Sequence, residues 1–271
     1  MIYKCKSNAK INISLRIVGV KNGFHLLNSV FVPIDLSDDM DFYESDDIKI
    51  EGFDFPQEKN IIYKTIMFIK NKYKVNKGVK VVCNKRIPMG AGLGGGSSNA
   101  ATTIKALNEL WHLKLSVNEK LSIASEIGSD VPFFVLNSSA YVTGFGENLT
   151  PIELNRIQGI LIFDGYSFNT AKIYKKFDEL NTGFANDEKK FTGKIEYIND
   201  LQSAINDMPG SSRVIEAIND LKTLGAYQSL MTGSGSCSFG LFDNDDKMQK
   251  AYNELKGKYR FTYCFSSIST K

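Results

Sequence analysis

The spacing of apolar residues changes character several times along the chain, and those changes mark out its elements. Residues 2–18 read as an apolar-rich strand pair interrupted by the polar run Ser7-Asn8-Ala9-Lys10, and residues 19–23, rich in Gly, Lys and Asn, predict a turn. Further strand-like stretches lie at 29–36, 40–44 and 48–51, so the first part of the chain is mostly β. From Asn60 the period lengthens. Ile61, Ile62, Thr65, Ile66, Phe68 and Ile69 fall at helical intervals and predict a helix up to the charged stretch around Lys72. A short β-branched strand at 79–83 leads into Asn84-Lys85-Arg86-Ile87-Pro88 and a glycine-rich loop. A helix over 99–111 follows, with Ala100, Ala101, Ile104, Leu107, Leu110 and Trp111 on one side. Ser116 and Glu119 have capping-box spacing and predict a second helix through Ile127, ended by Gly128. Residues 132–142 read as strand, 144–147 as a turn, and 149–154 as strand again.

A second unit is expected from about residue 155. It offers a strand at 160–163, a helix at 171–180, a polar insertion at 181–193, helices at 197–207 and 212–224, a second glycine loop and strand over 231–242, a helix at 246–256 and a last strand at 261–266. Strands and helices in separated groups read as α+β, with two domains expected at 1–155 and 156–271.

The glycine loop carries the chemistry. Gly90, Gly92, Gly94, Gly95 and Gly96 stand among seven consecutive residues, and each costs backbone entropy that a plain reversal would not justify. A strand, a loop of exposed amides and a helix N-terminus in that order form an anion site, so the ligand should be a phosphate. Gly90, Gly92 and Gly95 also match G-x-G-x-x-G, but a dinucleotide fingerprint belongs to the first strand-helix unit and is followed after roughly 20 residues by an acidic residue. Here about ninety residues precede it and two helical patterns follow. A Walker A loop needs a lysine where this chain has Ser97 or Ser98. The bland reading is a glycine-rich connector.

Composition narrows the setting. With 42% hydrophobic and 23% charged residues the chain is globular, and at 271 residues it has room for one large or two ordinary domains. A net charge of +3 is too even for a nucleic-acid face. Cys5, Cys83, Cys237 and Cys264 lie far apart and only His25 and His112 exist to help them, which argues against zinc. Three lysines within the first ten residues and no long apolar run predict a soluble, reduced, cytoplasmic protein.

Pro88, Met89, Gly90, Ala91, Gly92, Leu93, Gly94, Gly95, Gly96, Ser97 and Ser98, followed by Asn99-Ala100-Ala101, resemble the phosphate-binding motif of the GHMP kinase superfamily. Three further segments agree in order: Ala9-Lys10-Ile11-Asn12, Gly23-Phe24-His25, and Gly128-Ser129-Asp130-Val131-Pro132. The superfamily's third loop looks like Met231-Thr232-Gly233-Ser234-Gly235-Ser236-Cys237. The resemblance implies an N-terminal domain like domain 2 of ribosomal protein S5 and a ferredoxin-like C-terminal domain. It implies ATP as donor, magnesium carried with ATP and no protein metal site. It further implies a monomer or weak homodimer, without nucleic-acid or membrane partners, acting on a small molecule. The long loop match points to the branch that phosphorylates the 2-hydroxyl of a cytidine diphosphate conjugate of methylerythritol.

Each residue has a plain alternative. Lys10 alone is a surface lysine and Asp130 a loop or cap residue; the resemblance makes them a pair at the acceptor hydroxyl, Asp130 taking the proton and Lys10 holding the carboxylate ionised. His25 alone is a structural histidine; by resemblance it reads the cytosine edge, which suits a side chain that both donates and accepts. Phe24 stands where the family has tyrosine, keeping the ring face for stacking and losing the hydroxyl. Tyr174 aligns with the aromatic on the base's other side, or is core. Asn12 is a substrate contact or a strand amide satisfying backbone. Gly233 and Gly235 belong to a loop over phosphates or acceptor, or to a Gly-Ser hairpin. Asn60 and Lys85 are nucleotide contacts by analogy, and the hydroxyls of Ser97 and Ser98, at the helix start, are candidate contacts for the magnesium that ATP carries. His112 reads as structural.

Overall fold

The computed structural model describes residues 2–180, 184 and 193–268, so all but two residues of the 181–193 insertion lie outside it. Its elements are β1 (Ile2–Lys21), β2 (Phe24–Ser45), β3 (Ile48–Glu51), α1 (Ile61–Tyr73), β4 (Gly78–Asn84), α2 (Gly95–Leu110), α3 (Val117–Ile127), α4 (Val131–Leu136), β5 (Ala140–Gly144), β6 (Asn148–Pro151) and β7 (Gln158–Phe163). Then come α5 (Thr170–Leu180), β8 (Ile198–Asn199), a 3₁₀ turn (Asp200–Ile205), α6 (Ser211–Thr223), β9 (Gln228–Met231), β10 (Ser238–Leu241), α7 (Asp245–Leu255) and β11 (Phe261–Ser266).

The chain divides into two compact units. One comprises Met1–Ala9, Leu36–Ile87 and Gly94–Asn137. In it β3 runs parallel to β4, and β4 antiparallel to the second half of β2 from Asp39↔Asn84 to Ser45↔Gly78. Helix α1 packs on α2, and α2 on α3 and α4. Ile62, Ile66 and Ile69, the spacing that predicted α1, are its buried stripe, and Asn60 caps it by accepting from the Ile62 N–H. The Ser116–Glu119 capping box forms as its spacing requires.

The other unit comprises Lys10–Asp35, Pro88–Leu93 and Ser138–Lys271. Here β5 pairs with the first half of β2, β6 with β5, and β8 runs parallel to β1. A separate antiparallel sheet has the order β11-β7-β10-β9, with α6 and α7 packed on it around Ile160, Ile162, Leu221 and Leu255. Numbered along the chain those strands lie 4-1-3-2 with helices after the first and third, which is the ferredoxin-like arrangement.

Several boundaries differ from the sequence expectation. Strand β1 runs through Ser7–Lys10 without a break, because those polar groups are paired inside the protein: Ser7 with Ser98, and Lys10 with Asn12. Strand β2 runs through Ser37-Asp38-Asp39; Leu36, Asp38, Met40 and Phe42 share one buried face, and Asp38 is paired there. Helix α2 starts at Gly95 instead of Asn99. Residues 131–136, read from Pro132 as strand, form the short helix α4. A proline in its first turn suits a helix start, and an apolar run of that length does not itself tell helix from strand. The helix expected at 197–207 is a 3₁₀ turn, entered through Asn199, whose side chain accepts from the Leu201 N–H.

Candidate active site

The chain passes from one unit to the other inside the glycine loop, between Leu93 and Gly94. The first part of the loop is built against β1 and the superfamily's third loop at 231–237. The Lys10 N–H donates to the Leu93 carbonyl at 3.0 Å, the Cys237 N–H to the Ala91 carbonyl at 3.1 Å, and the Asn12 N–H to Thr232 Oγ1 at 2.9 Å. Glycine is required where these backbones meet. Gly92 has φ +78° and a Cβ there would stand 2.5 Å from the Thr232 carbonyl oxygen; at Gly235, with φ +82°, it would stand 2.6 Å from Met231 Sδ. A Cβ on Gly233 would approach the Gly92 oxygen to 3.1 Å. Gly90 lies at φ +68° and, with Met89, is exposed, while Pro88 and Gly92 are half-buried and Ala91 and Leu93 buried.

Lys10 and Asn12 point to the same face of β1, as residues two apart in a strand must. Lys10 is only 4% exposed, its Nζ 2.6 Å from Asn12 Oδ1 and 4.7 Å over the Phe31 ring. Asn12 is buried; its Nδ2 donates to Ser29 Oγ at 3.1 Å, so its amide orients Lys10 from inside the protein. Thr232, inside the third loop, and Asn199, which no signal in the sequence singles out, hold that loop in place. Thr232 takes the Asn12 bond, and buried Asn199 donates from Nδ2 to the Met231 carbonyl at 2.7 Å and the Gly233 carbonyl at 2.9 Å.

The second part of the loop opens α2. Gly94 is its N-cap at φ +69°, with no side-chain cap and no acidic residue in the first turn, so the leading N–H groups of a 16-residue helix are left to an outside anion. Beneath it lies a buried polar network. Asp38 Oδ1 accepts from the Arg86 and Ile87 N–H groups at 2.8 and 2.9 Å, and Oδ2 accepts from Asn99 Nδ2 at 2.9 Å and from Lys85 Nζ. Asn99 also reaches Ser7 Oγ at 2.9 Å, and Ser7 donates to Ser98 Oγ at 2.8 Å. Lys85 Nζ would lie 3.2 Å from a Cβ on Gly95, which places the ion pair under the helix start. Ser97 and Gly95 are half-buried, Gly96 exposed and Ser98 buried. Asn60 Nδ2 is buried and finds no partner among the described residues.

Burial first, and then the Asp38 carboxylate, push the Cys83 thiol up to about 12; burial and Asp41 do the same for Cys5. At pH 8 such a thiol is ionised in about one molecule in 10⁴. Iodoacetamide is therefore expected to label the folded protein at these positions far more slowly than the unfolded chain. Rapid labelling of Cys83 in folded protein, read by peptide mass spectrometry, would contradict this.

Asp130 stands half-buried at the N-cap position of α4, yet its side chain does not cap that helix. It belongs to one compact unit and Lys10 to the other. Phe24 is 68% exposed at the start of β2, its ring edge-on to Phe145 at 5.9 Å. His25 points the other way, its ring 4.6 Å from that of Tyr174 and its Nε2 2.7 Å from Asp178 Oδ1. Groups of three or more His, Cys, Asp or Glu placed to hold a metal ion are absent among the described residues, as are helices long and apolar enough to cross a membrane.

The family model for the GHMP kinases N terminal domain matches residues 60–138, and that for the GHMP kinases C terminal matches 196–260. A protein of Thermoanaerobacter sp. (strain X514) named 4-diphosphocytidyl-2-C-methyl-D-erythritol kinase is 37% identical over 98% of this chain and 96% of its own length. The chain belongs to this family of GHMP kinases. A second member, from Thermodesulfovibrio yellowstonii, is 37% identical over 93% of this chain and 94% of its own. The crystal structure of a 4-(cytidine 5'-diphospho)-2C-methyl-D-erythritol kinase superposes with a TM-score of 0.83 at 27% identity, covering 99% of this chain and all of that one. Asn60, Lys85, the 88–98 loop and Asp130 fall within the first family match, and Asn199 and the third loop within the second. Lys10, Asn12, Phe24, His25 and Tyr174 lie outside both.

Proposed function

We propose that the protein transfers the γ-phosphoryl group of ATP to the 2-hydroxyl of 4-diphosphocytidyl-2-C-methyl-D-erythritol, in the non-mevalonate route to isoprenoid precursors. The observation that carries this is the uncapped start of α2, reached through a loop whose Gly90, Gly92 and Gly94 are at positive φ: a ready phosphate site in a chain of this family. Residues 1–155 form the ATP-binding domain and 156–271 the C-terminal domain in this reading.

The loop amides and the α2 N-terminus hold the phosphates, and the orphaned Asn60 Nδ2 is a donor suited to a nucleotide acceptor. Lys85 acts beneath the loop through Asp38. The Asp38 oxygens are fully engaged by protein donors, so that carboxylate is not free for magnesium, which comes bound to the ATP phosphates and there offsets their charge. Asp130 accepts the proton of the attacking hydroxyl. Lys10, oriented by Asn12, offsets charge on the transferring group. In a loose phosphoryl transition state positioning and electrostatics dominate, so these groups act chiefly by where they sit. Phe24, His25 and Tyr174 take the cytosine, and Gly233 and Gly235 let the third loop lie close to the acceptor.

The test is ADP release against a panel of alcohols. Turnover is expected with the cytidylyl compound and not with homoserine, mevalonate or galactose; turnover with one of those alone would overturn the assignment. Phe24→Ala should raise the KM for the cytidylyl substrate about 5- to 150-fold, stacking being worth roughly 1 to 3 kcal/mol per base, and should change kcat less. An unchanged KM would remove Phe24 from the base site.

Gly92→Val is expected to abolish binding of a non-hydrolysable ATP analogue in a calorimetric titration. The branched side chain would need φ +78° and would collide with the Thr232 carbonyl, so the loop must leave its place. Wild-type affinity would put the phosphates elsewhere.

A further inference from the structure

Tyr174, Phe177 and Asp178 stand three and four residues apart on α5 and so share one face of it. That face meets His25. Its ring lies 4.6 Å from the Tyr174 ring at 35°, and 6.4 Å from the Phe177 ring at 78°. Stacking fixes the plane of an imidazole and leaves open which edge carries which nitrogen. The Asp178 carboxylate, with Oδ1 2.7 Å from Nε2, closes that choice. A carboxylate only accepts, so Nε2 carries the proton and, in the neutral ring, Nδ1 is the acceptor.

We propose that Asp178 is a specificity-positioning residue that holds His25 in the Nε2–H form, so that Nδ1 accepts from the 4-amino group of cytosine and meets the 4-oxygen of uracil acceptor to acceptor. This rests on the cytidylyl reading given above. Half-exposed Asp178 contributes little to folding, since pairs of this exposure add little stability; its contribution is the hydrogen-bond polarity of the histidine. Rejection of the wrong base then follows from a partly buried acceptor left facing another acceptor.

The experiment combines three measurements on wild type, Asp178→Ala and Asp178→Glu. Titration with cytidine 5'-diphosphate and uridine 5'-diphosphate reads base preference without turnover, and steady-state kinetics with the cytidylyl alcohol separates KM from kcat. Imidazole ¹⁵N spectra read the tautomer, and with only two histidines in the chain His112→Asn assigns them. Asp178→Ala is expected to cut the cytidine-over-uridine preference and raise KM, each about five- to tenfold, the loss of one modest hydrogen bond, with kcat within about twofold. His25 should lose its single Nε2–H signature, and Asp178→Glu should restore all three. An unchanged preference and unchanged His25 spectrum in Asp178→Ala would overturn the inference even if the wild type phosphorylates the cytidylyl alcohol. A wild type that binds cytidine and uridine diphosphates equally would overturn it too. A wild type inactive on that alcohol but showing the expected binding and spectral changes would overturn only the substrate assignment.

Discussion

Asp130→Asn is expected to lower kcat by two or more orders of magnitude while leaving affinity for an ATP analogue near wild type. The amide has almost the shape of the carboxylate but cannot take a proton, and a positioned general base contributes about 10²- to 10⁴-fold. Asp130 occupies the N-cap position of α4 without capping it, so no helix-end hydrogen bond is lost with the charge. The melting temperature is measured alongside turnover to separate a chemical loss from a structural one, since a 1 kcal/mol change moves a domain of this size by about 2–4 °C. Purified Asp130→Asn with turnover close to wild type would remove the base from the mechanism. A loss of turnover that came with a large loss of stability would point to a folding role instead.

What was legible in the sequence followed the range of the interaction that decides it. The Ser116–Glu119 capping box and the Ile62, Ile66, Ile69 stripe depend on neighbours within a turn or two, and both form. The glycine loop was legible because so many glycines in one place have few explanations. Lys10 was legible only through its motif, because nothing local distinguishes a lysine in a strand from a surface lysine. The pairing that orients it does not show at all: the Asn12 N–H bonds Thr232 across 220 residues of chain. Asn199, which holds the same loop, offers no local signal either. Strand β2 is the instructive miss. Ser37-Asp38-Asp39 falls between the two expected strands at 29–36 and 40–44. The period of two gave a better reading: Leu36, Met40 and Phe42 face inward, and that register puts Asp38 inward with them. A carboxylate on a buried face demands a partner, and Lys85 just after β4 was the available cation.

That buried pair yields the second large expected effect. Asp38→Ala should destabilise the protein by about 3–5 kcal/mol, the range for removing one partner of a buried ion pair. Asp38 is fully buried, and with it go acceptors for the Lys85 ammonium, Asn99 Nδ2 and the N–H groups of Arg86 and Ile87, four donors left inside the protein. Urea denaturation measures the loss as a lower midpoint. Asp38→Leu combined with Lys85→Met removes both charges and should recover part of that stability, since the uncompensated ammonium is gone and apolar volume replaces the pair. Nucleotide affinity should stay low in the double variant. The backbone from Arg86 to Ile87 leads directly into the glycine loop, and its two N–H groups still lack the carboxylate that fixes them. Stability and binding are thus expected to part company, the first following the charge balance and the second the backbone anchor. A midpoint unchanged in Asp38→Ala, or full ATP-analogue affinity in the double variant, would show that the loop is held from elsewhere.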